Sequence, residues 1–281
     1  MPVAVHISNE GVLTLPGGYA DASGAVYREV ELRPPTGFEE ECFSELDGSL
    51  CAADFTSQIL ARCLKRIGPL TPVSPELAGG MLPRDQDFLI VKTYRLTFGP
   101  KLWIELDCPD AACGKRMDIE LMLDELPFDE KPVDARYFRV GDIEFRLPTG
   151  ADLERIAEMN LPEEEARARL LAVCLRNPVE FATLEAAARE AIECRMQELA
   201  PPAEPEMEAV CPECRRPFTA PLDLVPLLLS ELRGTRQRLE REVHLLAWHY
   251  HWPESEILSM ARKKRQRYVA LVQEELEQGA E

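Results

Sequence analysis

Apolar and polar positions alternate in several short runs, and each run predicts a strand. Val12-Leu-Thr-Leu15 leads into Pro-Gly-Gly, which predicts a turn, and Tyr27-Arg-Glu-Val-Glu-Leu-Arg33 alternates until Pro34-Pro35 stops it. Residues 101–107 and 117–123 alternate on either side of a loop bearing two cysteines, and residues 206–211 and 217–220 do the same around a second such loop. Residues 137–147 predict a further hairpin turning at Val140-Gly-Asp142. Elsewhere the apolar spacing is helical. Phe55, Ile59, Leu60, Cys63, Leu64 and Ile67 predict one helix over 54–67, stopped by Gly68-Pro69. Residues 85–98, 152–160, 163–175 and 181–199 predict others, with a Pro/Gly-rich loop at 69–83 and a Pro/Ala/Glu connector at 201–205. Thr36 with Glu39, and Thr149, have the look of helix caps. From residue 222 the chain reads as helical. Leu224-Val-Pro-Leu-Leu-Leu229 leads into one long amphipathic helix to about Tyr250, and Trp252-Pro-Glu-Ser-Glu256 starts another to about Glu277, with Pro253 in its first turn.

The pattern repeats itself. Glu31-Leu-Arg-Pro-Pro-Thr-Gly37 recurs as Glu144-Phe-Arg-Leu-Pro-Thr-Gly150, and Ala61-Arg-Cys-Leu recurs as Ala172-Val-Cys-Leu. Each copy then reaches a cysteine pair, Cys108-Pro-Asp-Ala-Ala-Cys113 or Cys211-Pro-Glu-Cys214. Three landmarks keep their order at separations of 113, 111 and 101 residues, which points to an internal duplication. The expected fold is α+β, made of duplicated strand-helix-zinc-ribbon halves and a C-terminal helical hairpin. The expected segments are 1–135, 136–221 and 222–281.

Composition narrows the class. A chain of 281 residues with ordinary hydrophobic and charged fractions can bury a sizeable core. It holds no apolar run near the roughly 20 residues needed to span a bilayer. The start, Met-Pro-Val-Ala-Val-His, lacks a signal peptide's basic and apolar regions. The expected location is therefore a cytoplasm. A net charge of −18 opposes binding to a phosphate backbone.

In a reducing compartment, close cysteine pairs favour metal over disulfide. A tight turn carrying two thiols is half of a tetrahedral zinc site, so Cys108, Cys113, Cys211 and Cys214 together predict one closed structural zinc centre. A redox role for Cys211 and Cys214 lacks a thioredoxin-like setting. Cys63 and Cys174 fall in apolar helical patterns and read as core. His244, His249 and His251 lie in Glu242-Val-His-Leu-Leu-Ala-Trp-His-Tyr-His-Trp252 without a His-Glu-x-x-His signature, and read as packing at a buried helix end. The run Arg262-Lys-Lys-Arg-Gln-Arg267 reads as a docking patch or a solvated face. There is no Walker loop, nucleophile elbow or dinucleotide fingerprint, so nothing argues for an enzyme.

Leu82-Pro-Arg-Asp-Gln-Asp-Phe-Leu-Ile-Val-Lys-Thr-Tyr-Arg-Leu-Thr-Phe-Gly99, followed by the Cys108 knuckle, resembles the baseplate hub assembly chaperone and baseplate protein family of T-even-type contractile phage tails and related injection systems. The stretch from His244 to Ile257, with the basic run after it, and Arg28 to Gly37 resemble the same proteins. The resemblance implies a non-enzymatic protein that binds hub, spike or wedge subunits. Its docking surface is expected on the C-terminal helices, at Trp248, Tyr250, Trp252, Ile257, Leu258, Arg262, Lys263, Lys264 and Arg265. The other reading is a zinc-ribbon adaptor of an unrelated complex.

Overall fold

The structure, a computed structural model, describes residues 11–45, 51–123, 135–176, 184–199, 206–221 and 224–278. The 201–205 connector and the expected helix start at 181 lie outside these residues. In chain order come β1 (Val12–Ala20), β2 (Val26–Leu32), α1 (Gly37–Glu45), α2 (Ala52–Cys63), β3 (Leu64–Ile67), α3 (Pro75–Gly79) and α4 (Pro83–Phe98). The first cysteine hairpin follows, as β4 (Lys101–Asp107) and β5 (Arg116–Met122), and then the hairpin β6 (Tyr137–Val140) and β7 (Ile143–Arg146). Next come α5 (Gly150–Glu158), α6 (Glu163–Cys174), α7 (Ala186–Leu199) and the second cysteine hairpin, β8 (Glu206–Val210) with β9 (Pro217–Pro221). The chain continues as α8 (Leu224–Arg233), α9 (Arg236–Tyr250), α10 (Glu254–Leu258) and α11 (Arg262–Gln278). This is a mixed fold with small antiparallel sheets, one of three strands in the order β1-β2-β3 and the rest two-stranded, and a helical C-terminal region. No described helix is long and apolar enough to cross a membrane.

The chain forms two compact units that are not consecutive stretches. One comprises 1–34, 48–86 and 130–201, and the other 35–47, 87–129 and 202–281. This division cuts across the segments 1–135, 136–221 and 222–281.

In the first unit, three sequence expectations are corrected, the first being the loop expected over 69–83, which contains α3 behind its Ser74 cap. Pro16-Gly-Gly18 is not a turn. β1 runs through it with a register shift between Thr14 and Tyr19, and the turn lies at 21–25, where Asp21 Oδ1 accepts the N–H groups of Ser23 and Ala25. Leu64 to Ile67 is not the end of a helix either. It is β3, paired antiparallel to β2, with Lys65 and Arg66 bonded to Glu31. Leu64 and Ile67 are buried in either geometry, so their three-residue spacing could not decide. Cys63 and Cys174 are fully buried, and burial pushes the Cys174 thiol up to about 12.

Both Pro-Thr-Gly segments follow a hairpin strand and head a helix. Thr36 donates its N–H and hydroxyl to Glu39 Oε2 at 2.7 and 2.5 Å. Thr149 donates both to Asp152 Oδ2 at 2.8 Å each. The glycines are required by close approach. A Cβ on Gly37 would lie 2.9 Å from Leu258 Cα, and one on Gly150 would collide with the Gln86 side chain. After the second helix of each series the chain returns to its hairpin, through Leu32 opposite Leu64 and through the bridge of Phe145 with Leu175. The helices then diverge: α5 packs on α2 and α3, whereas α1 packs on α8, α9 and α10.

Asp85 is wholly buried and receives the Gly17 N–H at 2.7 Å. Burial pushes its carboxyl up from 3.8 to about 6, against the opposing pull of the Gly17 N–H and Arg136. A carboxyl raised on folding costs nothing below about 3.8, where both folded and unfolded chains are protonated; the cost grows as pH rises and is complete above about 6. Its full size is roughly 3 kcal/mol. Asp85→Asn, which keeps an acceptor for Gly17, should therefore stabilise the protein at pH 7.5 and lose that advantage at pH 4. Thermal denaturation of both proteins across this range checks it. A pH-independent difference would refute the assignment.

The second unit corrects the long helices. α8 and α9 separate at Gly234-Thr235, where Thr235 is buried and its hydroxyl is 3.1 Å from the Leu232 carbonyl. α10 and α11 separate at 259–261, where Ala261 bridges Thr36 and Gly37 donates its N–H to Met260 at 3.2 Å. Phe43, Leu228, Leu232, Leu239, Leu246, Ile257 and Val272 are buried there.

Candidate metal centre

Two hairpins supply the site. β4 and β5 pair in continuous register from Lys101–Met122 to Asp107–Arg116, and β8 and β9 from Glu206–Pro221 to Val210–Pro217. Each register ends at a cysteine loop, so the thiols project from the hairpin tips. The two loops are built alike. Cys108 donates its N–H to the Lys115 carbonyl at 2.9 Å, and Cys211 to the Arg216 carbonyl at 3.1 Å. The residue after the second cysteine is left-handed in both, Gly114 at φ 53° and Arg215 at φ 59°. That conformation folds each loop back and leaves backbone N–H groups facing sulfur: Asp110 toward Cys108, Lys115 toward Cys113, and Cys214 and Glu213 toward Cys211. The first loop's two additional residues are absorbed by a turn in which Asp110 accepts the N–H groups of Cys113 and Gly114 at 2.8 and 2.9 Å.

The four sulfurs lie within 4.8 Å of one another. The Cys108–Cys214 and Cys113–Cys211 separations are both 3.8 Å. A disulfide would require about 2.05 Å. A tetrahedral ion bound to sulfur at about 2.3 Å requires edges of about 3.8 Å, so the donor set fits a metal. Among the described residues, these cysteines are the group of His, Cys, Asp and Glu side chains arranged to hold one.

Backbone N–H donation and mutual crowding pull the thiols in opposite directions. N–H donation from Cys214 leads the lowering of the Cys211 thiol to about 7. At Cys108 the Asp110 N–H also lowers, but burial and the neighbouring thiols outweigh it and push the group up to about 12. Without a cation, four thiols this close cannot all ionise. A dication with four thiolates would still carry net negative charge, and the exposed Lys115, Arg116, Arg215 and Arg216 follow directly or nearly so on the second cysteine of each loop. Arg216 pairs with Asp110, linking the two loops. Met117, Leu106, Ile119 and Phe218 pack around the sulfurs.

The expected docking residues separate into two groups. Trp248 is 72% exposed, and Lys263 and Lys264 are exposed. Ile257 and Leu258 are buried, with Leu258 against Gly37. Tyr250, Trp252 and Tyr268 pack on one another with ring centroids 4.6, 4.9 and 5.7 Å apart. Arg262 and Arg265 are turned inward, so the basic run is not one continuous face. Arg265 donates to Glu40 at 2.7 Å, to Glu242 at 3.0 Å and to the Met260 carbonyl at 2.6 Å. Arg262 lies 3.6 and 3.8 Å from the same two carboxylates and stands over the Phe98 ring. The histidines do not pack a buried helix end: His244 and His251 are exposed, and His251 caps α9 in a left-handed conformation at φ 55°. Glu40 and Glu242 escaped the sequence reading. A signal existed, because Arg262, Arg265, Val269 and Val272 recur at helical spacing and place both arginines on the apolar stripe of α11.

A scan against protein-family models finds no match to this chain, and searches of curated proteins and of solved structures find no significant match either.

Proposed function

We propose that this chain is a non-enzymatic baseplate component or hub assembly chaperone of a contractile phage tail or contractile injection system, in which a structural zinc ion staples two ribbon hairpins and other surfaces bind baseplate proteins. The observation that carries the reading is the closed set of four cysteines. All four tetrahedral positions come from protein, which leaves no open position for substrate or water and assigns the ion to holding structure. Four soft thiolates favour zinc over magnesium or calcium. The parallel arrangement of capped Pro-Thr-Gly helices and cysteine hairpins supports an internal duplication whose two ribbons share one ion. The tail assignment rests on the resemblance of residues 82–99, 28–37 and 244–257 to the baseplate family.

The test is co-expression with the hub, spike and wedge proteins encoded beside this chain, followed by size-exclusion chromatography. A stable complex with at least one of them, formed by the metal-loaded chain, is expected. Failure to bind any of them, or a neighbourhood without tail genes, would overturn the tail assignment and favour the zinc-ribbon adaptor.

A further inference from the structure

α9 carries a surface feature that the basic run had obscured. Against α1 and α10 it forms a cleft of about 180 Å³, and His244 joins this cleft to a wider, shallower concavity that reaches Trp248 and His251. The floor of the cleft is apolar, made by Leu239, Val243 and Leu258. Its rim is acidic. Glu41 and Glu254 are exposed on opposite helices, while Glu240 is engaged by Arg236 at 2.9 Å. The remaining polar lining is Ser44, His244 and Arg236 itself, whose charge also acts on Glu41; three carboxylates against one guanidinium leave the rim net acidic. An apolar floor beneath carboxylates suits a side chain with a methylene stem and a cationic head. Trp248, 72% exposed one helical turn beyond His244, offers a flat apolar and cation-accepting face beside it.

From this geometry we infer that the α9 cleft is a docking site for a basic amphipathic segment of a partner protein. A lysine or arginine of the segment lies along Leu239 and Val243 with its charge between Glu41 and Glu254. A neighbouring apolar or basic residue rests on Trp248. Charge complementarity selects this occupant: the chain carries −18 overall, and the two arginines that would have made this region basic are consumed by Glu40 and Glu242. A second copy of so acidic a chain would be repelled. The inference rests on the reading that the chain works by binding other proteins, though not on which assembly it serves.

The test uses the full metal-loaded chain and two fluorescein-labelled helical peptides, one with leucine and lysine at i, i+4 spacing and one with glutamate in place of each lysine. Anisotropy should show binding of the lysine peptide that weakens as salt rises, and no binding of the glutamate peptide. Glu41→Gln with Glu254→Gln should weaken binding about tenfold, and Trp248→Ala severalfold. Glu274→Gln with Glu275→Gln, exposed on α11 and outside the cleft lining, should leave it unchanged. Equal binding of the two peptides, no binding of either, or indifference to the paired glutamate substitutions would overturn the inference. The two readings fail separately. A baseplate complex that forms and ignores these substitutions removes the cleft alone. Peptide binding without any baseplate complex removes only the tail assignment.

Discussion

Cys108→Ser and Cys211→Ser should each abolish metal binding completely, although they lie on different hairpins. Elemental analysis of the parent should return one zinc per chain, and either variant should return none. The reason is geometric. Cross-hairpin pairs of sulfurs stand 3.8 Å apart, so both loops would contribute to one coordination sphere. If each loop held its own ion, one substitution would leave half the metal behind. The stability effect should also be large, since binding energy at a site absent from the unfolded chain becomes folding energy, about 10 kcal/mol or more in small zinc peptides. Here other cores remain, so the expected result is loss of the β4–β5 and β8–β9 ribbons, with the rest of each unit retained. Hydrogen exchange before and after chelation should show protection lost over 101–122 and 206–221 first. A parent that contains no metal when freshly prepared under reducing conditions would sink the zinc staple.

Arg265→Ala should cost about 3–5 kcal/mol, the usual result of breaking a buried ion pair and stranding its partner. Arg265 and Glu40 are both fully buried, and Glu242 nearly so. Burial holds the Glu40 carboxyl above its usual range even though Arg265 and Arg262 pull it down, so desolvation exceeds attraction at that group. The charges are thus expensive together and more expensive apart. Arg265→Met alone should be strongly destabilising, and adding Glu40→Gln should recover part of the loss, because Glu242 then remains to pair with the buried Arg262. Lys263→Ala and Lys264→Ala should stay within about 0.5 kcal/mol, as exposed positions do. Denaturant titration of these variants checks the series. An Arg265→Ala protein as stable as the parent would mean that α11 does not use this network to hold α1 and α9.

The two predictions differ in how readily sequence discloses them. The four clustered cysteines are legible because each pair lies within six residues and between alternating strands. Local geometry alone carries the thiols to a hairpin tip, and only the meeting of the tips depends on the fold. The Thr36 and Thr149 caps are legible for the same reason, since a cap is satisfied within three residues. The Arg265 network is not, because its partners lie 225 and 23 residues away. A run of four basic residues looks like a surface until the opposite charges are placed beside two of them.

The misread elements share a cause. Leu64 and Ile67 fit a helix stripe or a strand ending, and β2 decided by offering backbone pairing to residues already at its edge. Pro16-Gly-Gly18 would suit a turn in isolation, but Asp85, 68 residues away, accepts the Gly17 N–H and keeps the strand extended. The expected long helices divide at Thr235 and near Ala261, where contacts to Glu40 and Thr36 replace helical continuity.

By itself, then, the sequence determined the two cysteine hairpins and the 137–147 hairpin, the capped helix starts at Thr36 and Thr149 and the four thiol positions, because each depends on residues close enough to interact without the rest of the chain. The tertiary structure decided which charges are buried, where helices break, how two discontinuous units are assembled and which face of α9 stays open. Those outcomes follow from desolvation and backbone pairing between residues far apart in the chain, and short-range patterns do not encode them.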